Sequence, residues 1–163
     1  DVFGRAENDE RQVKYRDQLD ARYVYTPQMI IGGSEHFVGS NSSKLEDTLR
    51  EHKGHAKAIN LKWRFKGDAL EIDLPATNQK AVIWQVDIDH ANEVDIKRGE
   101  NTGKTITYHN VVRNTQEIAQ WDGQKKTLSL DLSLLMSEGR DGCAILIQKG
   151  GYGAILGALI IDL

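Results

Sequence analysis

The spacing of hydrophobic and polar positions changes partway along the chain. From Glu7 to Arg22 nearly every position is charged or polar, and Val13 and Leu19, with Tyr15 and Tyr23, supply the apolar stripe of one mostly solvated helix. Tyr23-Val24-Tyr25 leads into Thr26-Pro27, and the run Met29-Ile30-Ile31 closed by Gly32-Gly33 predicts a short buried strand and a tight turn. His36-Phe37-Val38 predicts the return strand of that hairpin, before Gly39-Ser40-Asn41 breaks the pattern. The best-marked helix spans Ser43 to Lys53: Ser43 and Glu46 have capping-box spacing, Leu45 and Leu49 lie one helical turn apart, and Gly54 follows the end.

After His55 strand-like segments replace helical ones. Ala58 to Phe65 and Ala69 to Leu74 flank Lys66-Gly67-Asp68 as the arms of a hairpin, and the second arm alternates Leu70, Ile72 and Leu74 with Glu71 and Asp73. Lys80 to Asp89, Glu93 to Lys97, Lys104 to Arg113, Lys126 to Leu132, Cys143 to Lys149 and Ala154 to Asp162 bring the count to about eight strands, with a helical turn at Leu134 to Glu138. The pattern predicts an α+β chain whose second part is an antiparallel, sandwich-like β domain. The division falls at His52 to Lys57, giving residues 1–55 and 56–163, with neither a repeat nor a low-complexity linker.

Composition narrows the function classes. A chain of 163 residues can bury about 70% of its unfolded surface, enough for one compact domain or two small ones. Its 21 basic and 24 acidic residues give a net charge of -3, which lacks the basic excess of a nucleic-acid binder. The longest mostly apolar run, Gly153 to Leu163, is far short of the ~20 residues of a membrane-spanning helix, so no membrane partner is expected. The chain opens on Asp1 without a signal-peptide core and reads as a mature or truncated product. One cysteine, Cys143, excludes an internal disulfide and a multi-cysteine zinc site, and its apolar neighbours Ala144, Ile145, Leu146 and Ile147 predict a packed, inert thiol.

Four constellations invite chemistry. Asp87, Asp89, His90, Glu93 and Asp95 have the oxygen donors of a metal site, and a metal-dependent hydrolase on Asp87, Asp89 and His90 would bind metal until these are replaced by alanine. On a strand, however, Asp87 and Asp89 share one side and leave Trp84, Val86 and Ile88 to the core, so the plainer reading is an exposed hairpin face, without metal. Gly150-Gly151-Tyr152-Gly153 with Gly157 lacks the long helix and following strand of a dinucleotide loop and reads as a hairpin turn; no cofactor is expected. Tyr108-His109-Asn110-Val111-Val112-Arg113 has no nucleophile beside it and reads as hydrogen bonding at a strand end. A cis bond at Thr26-Pro27 would free Thr26 backbone groups for an extended partner; on these residues alone, an ordinary proline at an edge or first strand position is the simpler account.

A wider set of residues changes that balance. Tyr25-Thr26-Pro27-Gln28-Met29-Ile30-Ile31-Gly32-Gly33 with Phe37-Val38-Gly39-Ser40, preceded by Asp1-Val2-Phe3, Glu10-Arg11-Gln12 and Tyr15, and followed by Arg98-Gly99-Glu100-Asn101 with Gly103 and by Tyr108 to Arg113, resembles a bacterial, usually exported, thioredoxin-like family, domain of unknown function twelve twenty-three. The likeness spans nearly the whole chain. It implies the C-terminal half of a thioredoxin-like fold in residues 1–55, a periplasmic or secreted location, Pro27 at the cis-proline position and Thr26 as the backbone contact for an extended peptide or protein thiol substrate. No residue here matches either thiol of the family's Cys-x-x-Cys turn, so this chain alone is expected to lack thiol–disulfide activity and to contain no catalytic residue. A missing N-terminal segment or another chain is expected beside Met29 to Ile31. The alternative is a noncatalytic binding or assembly module whose sandwich meets a protein or glycan.

Overall fold

The computed structural model describes residues 3–55 and 59–163. Asp1-Val2, the start of the strand expected from Ala58 and part of the expected boundary at His52 to Lys57 lie outside the described residues. The chain is a mixed α+β fold in which antiparallel strands predominate.

Helix α1, Ala6–Gln18, places Glu7 and Asp9 in its first turn and Arg16 in its last, which suits the helix dipole. It ends before the expected Arg22 because Asp20 takes a left-handed φ of 52° and the Ala21 N–H turns back to Arg16 O at 2.9 Å, a Schellman closure. Strands β1, Gln28–Ile31, and β2, Glu35–Val38, form a hairpin in the register Ile31 with Glu35. Gly32 and Gly33 turn it at φ of 58° and 70°. β1 is half-buried throughout and not the buried strand its apolar run predicts, since only β2 pairs with it. Helix α2, Ser42–His55, is capped by Asn41, whose Oδ1 accepts the Lys44 N–H at 3.0 Å; Ser43, the expected cap, already lies inside the helix.

Seven strands follow among the described residues. β3, Lys62–Lys66, β4, Ala69–Leu74, and β7, Lys126–Asp131, make one sheet in the order β3-β4-β7. β5, Ala81–Asp95, β6, Thr105–Trp121, β8, Gly142–Gln148, and β9, Ile155–Asp162, make another in the order β6-β5-β8-β9. Helix α3, Ser133–Ser137, is the expected helical turn. The two strands expected at Lys80 to Asp89 and Glu93 to Lys97 are one: His90-Ala91-Asn92 is polar but holds no breaker, and Ala91 and Asn92 stay in register with His109 and Tyr108. β8 leaves this ladder at Ile88, so the far ends of β5 and β6 project as a two-stranded arm.

One hydrophobic cluster joins the sheets. Leu70, Ile72 and Leu74 of β4 meet Ile83 of β5 and Cys143, Ile145 and Ile147 of β8, with Trp121, Leu132 and Leu135 closing the rim. Strand alternation puts Gln85 and Asp87 on the same face as Ile83. Asp87 is therefore only 5% exposed, a correction to the exposed hairpin face expected for it. Its Oδ1 accepts from Gln85 Nε2 at 2.8 Å and its Oδ2 from Asn114 Nδ2 at 3.1 Å, the pairing a buried carboxylate requires.

Candidate docking site at Thr26 and Pro27

Thr26 and Pro27 are exposed where the chain enters β1, and the peptide bond between them is cis. Pro27 O accepts the Gly39 N–H at 2.8 Å and Ile31 O accepts the Ser34 N–H at 3.1 Å, both on the β2 side. Backbone groups alternate along a strand, so Gln28 and Ile30 present theirs to the opposite edge. No strand pairs there among the described residues.

The face of β1 that carries Thr26, Gln28 and Ile30 forms one wall of a trough of about 300 Å³; Asn8, Arg11, Gln12 and Tyr15 of α1 form the other. Gln12 Nε2 sets the spacing, donating to Tyr25 O at 3.0 Å and to Gln28 Oε1 at 3.2 Å. Gln28 Nε2 is buried and has no hydrogen-bond partner among the described residues. The trough thus presents the Thr26 side chain beside a strand edge that is unpaired among the described residues. It contains no nucleophilic or metal-binding constellation.

The trough keeps its shape because α1 is tied to the larger sheet. The Arg11 guanidinium lies 4.7 Å from the Trp84 ring centroid, 5.2 Å from Tyr152 and 5.3 Å from Tyr15. Arg11 Nη2 also donates to Gln148 Oε1 at 3.1 Å, and the fully buried Gln148 donates through Nε2 to Tyr15 Oη and to Gly153 O, both at 2.8 Å. The glycine-rich segment is the hairpin turn between β8 and β9; it accepts the Trp84 indole N–H at Gly151 O, 3.1 Å away. The hairpin turn of β1 and β2 packs on the same segment: a Cβ at Gly33 would lie 2.2 Å from Gly153 O, so only glycine fits. Residue patterns did not point to this cluster, because Arg11 and Gln148 are 137 positions apart.

The other constellations are occupied by structural bonds. Arg140 Nη1 reaches both Asp89 oxygens at 3.0 and 3.1 Å, Arg113 Nε lies 3.4 Å from Asp89, and His90 Nε2 lies 3.3 Å from Asp162. Asp95 accepts from the Thr105 hydroxyl, and among the described residues no three His, Cys, Asp or Glu side chains converge as a metal site would require. Tyr108 to Arg113 lies within β6, not at a strand end, because β6 runs on to Trp121. Cys143 is fully buried, and burial, reinforced by Asp87, pushes its thiol up to about 11. Such a thiol is a poor nucleophile at neutral pH. No helix among the described residues is long and apolar enough to cross a membrane.

Comparison with known proteins places the molecule. Residues 1–148 match the model of a family described as "Protein of unknown function (DUF1223)". A crystal structure of a protein from Agrobacterium tumefaciens is 32% identical, with a TM-score of 0.83 over 99% of this chain and 72% of that one. None of the curated proteins matches the chain.

Proposed function

From the premise that the chain belongs to the DUF1223 family, we propose that its N-terminal region is the docking half of a thioredoxin-like scaffold in an exported, periplasmic or secreted protein. In this reading the parent exchanges thiols and disulfides, and the β-sandwich-like remainder is attached to that scaffold. Segments preceding this one supply the central strands and the Cys-x-x-Cys pair, which this chain lacks. The observation that carries the reading is the free edge of β1 beside exposed Thr26 and Pro27. A short strand with a half-buried apolar run and an unpaired edge needs a covering strand, and the Agrobacterium relative has chain beyond the matched portion to provide one. The trough then holds an extended peptide or protein thiol, with the Thr26 backbone groups as donor and acceptor.

Insulin reduction tests this. The full-length parent is expected to reduce insulin with dithiothreitol as electron donor, and the present chain is not. Turnover by this chain alone, or a full-length parent that has no cysteine pair and no activity, overturns the proposal.

A further inference from the structure

A second open edge lies in the other region of the molecule, and its chemistry is independent of thiol exchange. β3 is the outermost strand of the β3-β4-β7 sheet, and all five of its residues are exposed. Among the described residues its outer side has no backbone partner. Trp63 and Phe65 stand opposite Ile72 and Leu70 of β4, so they lie on the core face of the sheet. Yet Trp63 is 46% and Phe65 52% exposed, their rings in edge contact at 5.7 Å, whereas Leu70 and Ile72 are fully buried. The two rings therefore stand partly uncovered at the rim of the core. The opposite face of β3 carries Lys62, Arg64 and Lys66.

The bonded edge of β3 shows what the strand selects. β4 alternates apolar with acidic residues: Leu70 and Ile72 meet the two rings, while Glu71 and Asp73 meet the cations. Arg64 Nη2 lies 2.5 Å from Glu71 Oε2, Arg64 Nη1 2.8 Å from Asp73 Oδ2, and Lys66 Nζ 3.3 Å from Glu71 Oε1. Three cations face two carboxylates here, and Lys62 joins none of these pairs. The free edge repeats the same rings and cations toward solvent.

We propose that the free edge of β3 captures an extended segment of a partner protein in which apolar and acidic residues alternate. That segment would add a fourth strand, close the aromatic flank of the core with its apolar side chains and place its acids beside Lys62, Arg64 and Lys66. The same charges disfavour a second copy bound through β3: antiparallel self-pairing about Arg64 would oppose Lys62 to Lys66 and Arg64 to itself.

The test is an NMR titration of the protein with a capped synthetic peptide of the β4 sequence, residues 69–74. Shifts are expected on the amides of residues 62–66. The peptide carrying E71K and D73K should bind about tenfold more weakly, and a protein carrying K62E and K66E should reverse that preference. The W63A/F65A protein should stay folded, with the amides of β5 and β8 unshifted, and lose about tenfold in affinity. Equal binding of the two peptides, or shifts confined to other elements, overturns the proposal. Binding to phosphatidylserine vesicles that needs Trp63 and Phe65, with no peptide bound, reassigns the edge to lipid. A dimer in sedimentation equilibrium that is lost in the W63A/F65A protein reassigns it to a second copy.

Discussion

Leu70, Ile72 and Leu74 of β4 keep at most 1% of their surface, whereas α1 buries no residue and β1 remains half-exposed along its length. The two regions are thus held together by different forces. The sheets of residues 62–163 carry their own apolar cluster, and burial of such side chains contributes about 1.5–3 kcal/mol each. Among the described residues, the region of α1, β1, β2 and α2 has no comparable cluster. It is attached by the Arg11 cation over the Trp84 and Tyr152 rings, the Gln148 amide, and the turn at Gly32 and Gly33, where the Ile155 N–H donates to Gly32 O at 2.7 Å. Val13, Val24, Val38 and Leu49 in that region stay exposed. One region is a finished core; the other is positioned by directional contacts and still has an edge to cover.

That contrast can be broken by mutation. Ile72→Ala should lower the global unfolding free energy by about 2–5 kcal/mol, read by urea denaturation, because its cavity lies where both sheets contribute side chains. Leu49→Ala, at a 43% exposed position of α2, should cost less than about 0.5 kcal/mol. Similar losses for the two would show that the regions share one core. The alkaline side sharpens the same point. The Cys143 thiol is raised in the folded state from 9.0 to about 11, so the stability it contributes is complete below pH ~9 and is lost as pH rises toward ~11. The loss should approach about 2–3 kcal/mol and disappear in Cys143→Ala when the two proteins are compared by urea titration at neutral and alkaline pH. Arg11→Ala should cost about 1–2 kcal/mol, and locally: hydrogen exchange should accelerate in residues 6–18 and 28–38 while β4, β5 and β8 keep their protection.

Residue patterns disclosed the elements far better than their relations. The hairpin of β1 and β2 is legible because Gly32-Gly33 leaves few other turns open, and α2 because of its apolar spacing, although Gly54, expected to follow its end, lies inside it. Its start is less so: Asn41, Ser42 and Ser43 can all cap, and only geometry shows that Asn41 does. Alternation in β5 sorts Asp87 from Trp84 correctly, yet both faces of that strand are covered, so the side that carries acid is not the side that meets water. Thr26 and Pro27 were marked by the proline and by family likeness. Their trough was not, since Gln12 and Arg11 reach it from a helix whose own pattern shows only a polar surface. Trp63 and Phe65 share a face with the buried Leu70 and Ile72 and yet stay half-exposed, a property of the packing that the strand pattern does not carry.

The smallest effect separates charge from burial at the β3 edge. Thr127, with Arg64, holds the Asp73 carboxyl below its ordinary value, and Lys66, with Arg64, does the same for Glu71. A carboxyl with a depressed folded pKa contributes stability above its ordinary value and loses it as pH falls through the folded one, so this contribution must vanish on the acid side, opposite in direction to that of Cys143. These groups sit beside solvent, which screens them. NMR titration of wild-type protein should find both carboxyls below the usual range. In Arg64→Ala both should move back toward it, with high salt producing a similar but smaller movement. The urea midpoint at neutral pH should fall only slightly in that variant, because Leu70 and Ile72 remain buried beneath. If Arg64→Ala instead destabilised the fold as much as Ile72→Ala, the cations of β3 would be structural to the core, and they would not be free to select a further strand.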